Sequence, residues 1–239
     1  MRKVQENTNA MEVVFILDRS GSMENVTEDT IGGFNSMIKK QKEEAVNALV
    51  TTVLFDDKIN ILHDRVNIAD ISPLTIKEYY ARGATALLDA IGSTITHISN
   101  IHKYARETDI PSKTLFVITT DGYENASNKY TLTKVKSMIE EQQSNGWEFL
   151  FLGANIDAIE TAGTLGIRRE CAANVICDDE GVATTYQAVS DAVLECWSAP
   201  RGSELSQKWK ERLDEDLRNR GISRKKVDDN ELPEFLRKK

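Results

Sequence analysis

Cysteine is scarce in this sequence, and its pattern excludes two common kinds of stabilisation. The three cysteines are Cys171, Cys177 and Cys196, and no two of them form a CxxC pair. Because their number is odd, at least one is unpaired, and neither a disulfide framework nor a structural zinc site is supported. We interpret them as small hydrophobic core residues in a reducing compartment, and we expect a cytoplasmic protein.

Long apolar runs are also absent. The first ten residues are polar and lack the apolar stretch of roughly 7–15 residues that a signal peptide needs. The run from Val13 to Leu17 is much shorter than the roughly 20 residues that cross a bilayer. We therefore expect a soluble protein without a membrane partner.

The chain has no excess of positive charge. It contains 38 Asp and Glu against 30 Lys and Arg, a formal net charge of -8, which argues against a nucleic-acid partner. The charge is divided unevenly, because residues 200–239 carry +3 and the preceding residues carry -11. Since 239 residues suit one large domain with an appendage, we predict an N-terminal segment (1–10), a domain (11–199) and a charged tail (200–239).

Short apolar runs alternate with helical patterns over residues 11–199. The second and third runs are joined directly through Asp56-Asp57, which indicates a hairpin, whereas the others are separated by apolar residues at helical spacing. This order predicts an α/β, Rossmann-like, doubly wound and mostly parallel sheet with one antiparallel edge strand. The predicted strands are 11–18, 49–55, 58–64, 112–120, 147–153 and 173–177.

Weaker patterns suggest further local structure. Asn25 and Glu28 have the spacing of a reciprocal helix N-cap, and a short helix is predicted around Thr75–Tyr80. In the tail, apolar residues every four positions predict an amphipathic helix that Gly221 can end. This helix could pack on the domain, or it could dock on another protein or a second copy. Residues 222–239, with Leu232, Phe235 and Leu236, read as a flexible end. The four helical apolar residues are Leu205, Trp209, Leu213 and Leu217.

Oxygen-bearing side chains follow two of the buried strands and precede the long second helix. Asp18-Arg19-Ser20-Gly21-Ser22 follows the first strand, Asp121 follows the fourth, and Thr85 precedes the helix. Ligands bind beyond the carboxyl ends of the strands in open α/β sheets. Because no Cys or His occurs in these loops, the donor set favours a hard cation, Mg²⁺ first and Mn²⁺ or Ca²⁺ second.

These segments resemble the metal-ion-dependent adhesion site of von Willebrand factor A (VWA) domains. The DxSxS motif, the threonine and the aspartate-glycine pair match at all five positions: Asp18, Ser20, Ser22, Thr85 and Asp121. The similarity is closest to stand-alone bacterial and phage members and extends over about residues 10–199.

The resemblance implies a six-stranded VWA fold and a non-enzymatic module that binds a protein through the metal. A partner's acidic residue would complete the coordination of Mg²⁺. Several cytoplasmic members are adaptors for AAA+ ATPases, so such an ATPase is a possible partner.

Two hydrolytic alternatives fit the sequence less well. Haloacid-dehalogenase-like phosphatases resemble this pattern, but Ser20 occupies the position of their acid/base aspartate. A serine nucleophile would need a nearby base, and no histidine occurs in the three loops. We therefore expect no enzyme. Arg19 is either a solvated loop residue or a contact for an acidic partner. Tyr123 and Glu124 are expected to be exposed beside the site. The three histidines are His63, His97 and His102.

Overall fold

The computed structural model describes residues 10–222. The predicted N-terminal segment up to residue 9, and the predicted flexible end from residue 223 onward, lie outside the described residues. No helix among the described residues is long and apolar enough to cross a membrane.

A six-stranded mixed sheet forms the centre of the molecule, in the order β3-β2-β1-β4-β5-β6. The hairpin strand β3 lies at one edge of the sheet, as predicted, and its pairing with β2 is the one antiparallel pairing among the described strands. Every residue of β1 is buried, which requires that both faces of the sheet be covered. The strands are β1 (Met11–Asp18), β2 (Ala48–Phe55), β3 (Ile59–Asn67), β4 (Lys113–Thr120), β5 (Trp147–Ala154) and β6 (Ala172–Val175).

Helices connect the parallel strands and cover the sheet. α1 packs against α5, and α2 packs against α3. The α/β class and the doubly wound arrangement predicted from the sequence are confirmed. The helices are α1 (Thr27–Glu43), α2 (Leu87–Tyr104), α3 (Leu132–Ser144), α4 (Ala158–Thr164), α5 (Asp179–Ser198) and α6 (Glu211–Asn219).

The predicted start of the first helix is wrong. A 3-10 turn over Gly21–Val26 contains Asn25, and Val26 occupies the N-cap position without a side-chain cap. The 3-10 turn leads directly into α1, because its residues Met23 and Val26 are buried. Core packing therefore fixes this helix start, and the Asn25–Glu28 pair does not.

No helix forms at Thr75–Tyr80, where one was predicted. Glu78 accepts hydrogen bonds from the backbone and hydroxyl of Thr75, which gives one isolated turn. Tyr79 is fully buried, and its hydroxyl donates to the backbone oxygen of Asp18 over 2.5 Å. This long-range anchor holds the segment against the carboxyl end of β1.

The C-terminal helix packs on the domain, which is one of the two alternatives left open by the sequence. Leu205, Trp209 and Leu213 are buried in the same hydrophobic core as the sheet, and Leu217 is half-buried. A 3-10 turn at Lys208–Lys210 precedes α6, so the helix is shorter than its apolar pattern predicts. α6 contacts both α5 and β6.

Candidate metal site

The predicted metal ligands lie at the carboxyl edge of two adjacent central strands. Asp18 ends β1, and Asp121 directly follows β4, which pairs with β1. Thr85 lies just before α2. The parallel pairing brings the loops after β1 and β4 to the same edge of the sheet.

The DxSxS loop curls so that its oxygen atoms converge. The backbone N–H of Ser20 donates to Oδ1 of Asp18 over 2.7 Å. The hydroxyls of Ser20 and Ser22 lie 3.1 Å apart, and the Ser22 hydroxyl donates to Oδ1 of Asp121 over 2.6 Å. Asp18, Ser20 and Asp121 are buried, whereas Ser22 is exposed. The cluster therefore reaches solvent at Ser22.

Thr85 approaches the same cluster from the loop before α2. A Cβ placed on Gly122 would lie 3.9 Å from the hydroxyls of both Ser22 and Thr85, so these hydroxyls are at most twice that distance apart. The backbone of Thr85 exchanges two hydrogen bonds with Asn125, at 2.8 and 3.0 Å. The structure thus gathers all five predicted residues at one edge of the sheet.

Two supporting contacts to Asp18 were not foreseen from the sequence. The Thr120 hydroxyl donates to Oδ2 of Asp18 over 2.6 Å, and Tyr79 donates to its backbone oxygen. The position of Thr120 directly before Asp121 in the sequence was a signal that it lies near the site. Nothing in the sequence placed Tyr79 near the site, because the contact joins residues 61 positions apart.

Asp56 ties the DxSxS loop to the loop that carries Thr85. Its Oδ2 accepts from Arg19 over 2.9 Å and from Arg82 over 2.7 Å, and its backbone oxygen accepts from the N–H of Ala86. Burial acts to raise the pKa of Asp56, but the hydrogen bond from Arg82 holds it below its ordinary value. Arg19 is 3% exposed, so the expectation that it is solvated or free for a partner is wrong. Asp56 therefore connects these two loops through its side chain and its backbone.

The loop after β4 is held by two further carboxylates. Glu124 is buried and accepts from the backbone N–H of Leu88 and from Ser127, so the expectation that it is exposed is wrong. Tyr123 is half-buried and packs on the core. Asp89, in the first turn of α2, accepts from the backbone N–H groups of residues 128–130. These bonds fix the position of Asp121 relative to α2.

The electrostatics of the cluster suit a divalent cation. Burial raises the pKa of Asp18 to about 6, with a smaller contribution from the charge of Asp121. Burial also raises the pKa of Asp121. The guanidinium of Arg19 is engaged by Asp56 and does not bond to either ligand carboxylate. Two buried carboxylates and three hydroxyls are all-oxygen donors, which fit a hard divalent ion such as Mg²⁺.

The donor set contains few charged ligands. Within residues 10–222, no group of three or more His, Cys, Asp or Glu side chains is placed to hold a metal ion. Any cation at this site would depend on the hydroxyls of Ser20, Ser22 and Thr85 beside the two carboxylates.

The histidines are engaged away from the cluster. His63 is hydrogen-bonded to Thr52, and His97 lies 2.9 Å from a carboxylate oxygen of Asp64. His102 bonds to the buried carboxylate of Glu12 over 2.5 Å. None of the three is bonded to Ser20 or Ser22, so neither serine has a histidine base.

The fold is that of VWA domains, as comparison with solved structures shows. The vWF domain of the pilus tip protein Mfa5 from Porphyromonas gingivalis has a TM-score of 0.59 and 11% identity, over 93% of this chain and 99% of that one. The PilB minor pilin from Streptococcus sanguinis has a TM-score of 0.58 and 14% identity, over 81% of this chain and 64% of the pilin.

A third solved structure has zinc at its metal-ion-dependent adhesion site (MIDAS). Proximal thread matrix protein 1 from the mussel byssus, with a zinc-occupied MIDAS motif, has a TM-score of 0.52 and 14% identity. That match covers 81% of this chain, which spans 47% of the mussel protein. At these identities the likeness establishes the fold alone. No protein-family model matches the chain, and a search of curated proteins finds no match.

Proposed function

We propose that this chain is a metal-dependent protein-binding module. Asp18, Ser20, Ser22, Thr85 and Asp121 would hold Mg²⁺, or Mn²⁺ or Ca²⁺, directly or through water. The observation that carries this proposal is the 2.6 Å hydrogen bond from Ser22 to Asp121, which joins two loops 99 residues apart in one oxygen cluster. Pilus proteins with the same fold support a binding role.

The residues of the site explain how a partner would be recognised. Asp18 and Asp121 supply the two negative charges, and the three hydroxyls supply neutral oxygen atoms. When bound, the ion would act as a Lewis acid that attracts a carboxylate. Ser22 is the exposed member of the cluster, so a partner's Asp or Glu would approach beside it. Because residues 1–199 carry a net charge of -11, binding would rest on this local attraction and on shape.

Two features favour a non-enzymatic role over a phosphatase or another hydrolase. Ser20 stands where a phosphatase of the haloacid-dehalogenase type would need an acid/base aspartate. The histidines bond elsewhere, to Thr52, Asp64 and Glu12. A broad phosphatase screen with Mg²⁺ is expected to give no turnover. Turnover that is lost in Asp18→Asn would contradict the proposal.

Capture of partners from a native lysate tests the proposal directly. Wild-type chain should retain its partner with Mg²⁺ and release it with EDTA, whereas Asp18→Asn should not retain it under either condition. Asp70→Asn removes one exposed carboxylate outside the site and should behave as wild type. An AAA+ ATPase in the EDTA-released fraction would identify the module as an adaptor. Equal retention by Asp18→Asn and wild type would exclude the mechanism.

We also propose that the protein acts in the cytoplasm. All three cysteines are free thiols, of which Cys171 and Cys196 are buried. Such thiols suit a reducing compartment. Fractionation of the native host with an antibody against the chain tests this location.

A further inference from the structure

Exposed hydrophobic side chains are concentrated on one side of the candidate metal site. Six large hydrophobic side chains are exposed among residues 10–222, and four of them belong to the β2–β3 hairpin and the loop after it. Exposed apolar groups that collect in one region mark contact surfaces more often than scattered ones do. These four residues, named the hairpin patch, are Ile59, Ile61, Ile76 and Tyr80.

The register of the sheet places the start of β3 level with the metal ligands. Asp18 pairs with Phe55, and Phe55 pairs with Ile59, so the three residues lie in line across β1, β2 and β3. At the usual strand spacing, the Cα atom of Ile59 lies about 10 Å from that of Asp18. A protein segment that reached an ion at Asp18 would therefore also reach the hairpin patch.

Backbone hydrogen bonds hold the loop that carries Tyr80 against the DxSxS loop. The N–H of Arg82 donates to the backbone oxygen of Arg19 over 2.8 Å. The N–H of Gly21 donates to that of Gly83 over 3.2 Å. The guanidinium carbons of Arg19 and Arg82 lie 5.5 and 5.3 Å from the centre of the Tyr80 ring, yet Tyr80 is 39% exposed. Cation–π contacts thus fix an exposed aromatic ring beside the site.

The charges beside the hairpin patch favour an apolar partner surface over a second acidic one. Arg19 and Arg82 both donate to the carboxylate of Asp56, and the carboxylate of Asp57 adjoins Gly83. The two arginines are thus offset by the two aspartates, so little net charge remains to attract an acidic group. The exposed isoleucines and the tyrosine ring are what this surface offers to a partner.

We propose that the hairpin patch is a second part of the partner-binding surface. Its occupant is a protein segment in which apolar side chains flank the acidic residue that reaches the ion. This inference rests on the proposed function, because the acidic residue is assigned to the metal. Tyr80 is the central contact, since tyrosine is enriched among the residues that dominate binding energy. Its ring is already held by two guanidinium groups, so binding orders it at little further entropic cost.

Selection of random peptides tests the chemistry of the occupant. Peptides displayed on phage are selected on the wild-type full chain in Mg²⁺, and the enriched sequences are then synthesised and titrated by calorimetry. Those sequences should combine an Asp or Glu with aromatic or branched aliphatic neighbours. Tyr80→Ala should weaken their binding by about tenfold or more. Tyr80→Phe keeps the ring and should bind as wild type does.

Two matched controls separate the hairpin patch from exposed hydrophobic side chains in general. Tyr104 is 80% exposed and ends α2, whereas Thr85 lies just before the start of that helix. Tyr104→Ala should leave peptide affinity unchanged. Ile76→Ser should weaken binding several-fold and does not alter the tyrosine ring. Ile222→Ser removes an isoleucine of comparable exposure, 48% against 58% for Ile76, and should have no effect.

The failures of the two proposals give different results. Equal peptide affinity in wild type, Tyr80→Ala and Ile76→Ser would overturn the hairpin patch, as would a selection that enriches no acidic-apolar sequence. If such peptides still require Mg²⁺ and are lost in Asp18→Asn, the metal mechanism is retained without the patch. Peptides that depend on Tyr80 but bind equally in Mg²⁺ and in EDTA would exclude the metal mechanism and retain the patch as a contact surface.

Discussion

Asp18 is a buried anion whose direct partners are all neutral. Its carboxylate accepts from the backbone of Ser20 and the hydroxyl of Thr120, and the neighbouring Arg19 is turned toward Asp56. Asp121 is a second buried carboxylate close enough to raise the pKa of Asp18. The metal-free fold therefore bears an electrostatic cost that a divalent cation would remove.

Removal of that charge should abolish the metal's effect on the unfolding temperature. The rise in the pKa of Asp18 from 3.8 to about 6 corresponds to a cost of about 3 kcal/mol at neutral pH. In EDTA, we therefore expect Asp18→Asn to unfold at a temperature several degrees above that of wild type. Mg²⁺ should raise the unfolding temperature of wild type and leave that of Asp18→Asn unchanged, as measured by differential scanning calorimetry. Equal metal-dependent increases in both proteins would refute the assignment of Asp18.

Thr120 should act as a positioning residue for the site. Its hydroxyl orients Asp18 without being one of the predicted ligands, and loss of such partners typically lowers metal affinity about 10–100-fold. We expect Thr120→Val to weaken Mn²⁺ binding by about tenfold, measured by titration calorimetry. Thr119→Val makes the same chemical change one residue earlier, on the other face of β4, and should bind as wild type does. A matching loss in Thr119→Val would mean that the strand, and not the hydroxyl, sets the affinity.

At the scale of elements, the contact between α1 and α5 depends on the absence of a side chain at Gly33. A Cβ on Gly33 would lie 2.3 Å from a ring carbon of Tyr186, whereas a Cβ on Gly32 would meet nothing within 4 Å. Tyr186 is buried and lies edge-on to Phe34. Close approach of the two helices therefore requires glycine at one of two adjacent positions.

This contrast gives a matched pair of substitutions within one helix. Gly32→Ala should stabilise the protein by up to about 1 kcal/mol, because alanine favours helix. Gly33→Ala should destabilise it by about 1–3 kcal/mol, because the ring must move. Urea unfolding followed by circular dichroism measures both. Stabilisation by both substitutions would show that α1 and α5 are separated more widely than described.

The elements that the sequence predicts well are those whose pattern is local. The apolar run at Met11–Asp18 and the Asp56-Asp57 turn were sufficient to place β1 and the antiparallel edge strand. The errors arise where a distant contact decides the structure. Tyr79 leaves the predicted helix to reach Asp18, and burial of Val26 replaces the predicted cap at Asn25. Periodicity carries no information about either contact.

At the scale of the whole molecule, the C-terminal helix shares the core of the sheet domain. Trp209 is 2% exposed and Leu213 is 3% exposed, in the same cluster as the strands. The charge division at residue 200 therefore does not mark a separate folding unit within the described residues.

A shared core predicts one cooperative unfolding transition. Trp209→Ala should lower the free energy of unfolding by about 3–5 kcal/mol and shift the whole transition, because it leaves a large cavity. Urea unfolding followed in parallel by circular dichroism and by tryptophan fluorescence tests this. Arg212→Ala, at an exposed position of the same helix, should change the free energy by less than about 0.5 kcal/mol. A separate early transition in Trp209→Ala would show that the helix unfolds independently.

The proximity of the five candidate residues was predictable from the sequence, but the contacts that support them were not. Asp18, Ser20, Ser22, Thr85 and Asp121 were all singled out from strand ends and motif spacing. The groups that hold them were missed or misread, because Asp56, Asp89 and Glu124 look like ordinary turn or surface acids in the sequence. Their roles come from hydrogen bonds with groups 26 to 41 residues away. Asp56 accepts from the Arg82 guanidinium, whereas Glu124 and Asp89 accept from backbone N–H groups.

The pairing of β1 with β4 makes the oxygen cluster a product of completed folding. Ser22 and Asp121 become neighbours only when β1 pairs with β4. The chain between them, which includes the β2–β3 hairpin and α2, must be present before that pairing can form. An ion held there would bind the native chain and not the unfolded one, so it would stabilise the folded state. A partner that binds through the ion would therefore bind folded chains and not incompletely folded ones.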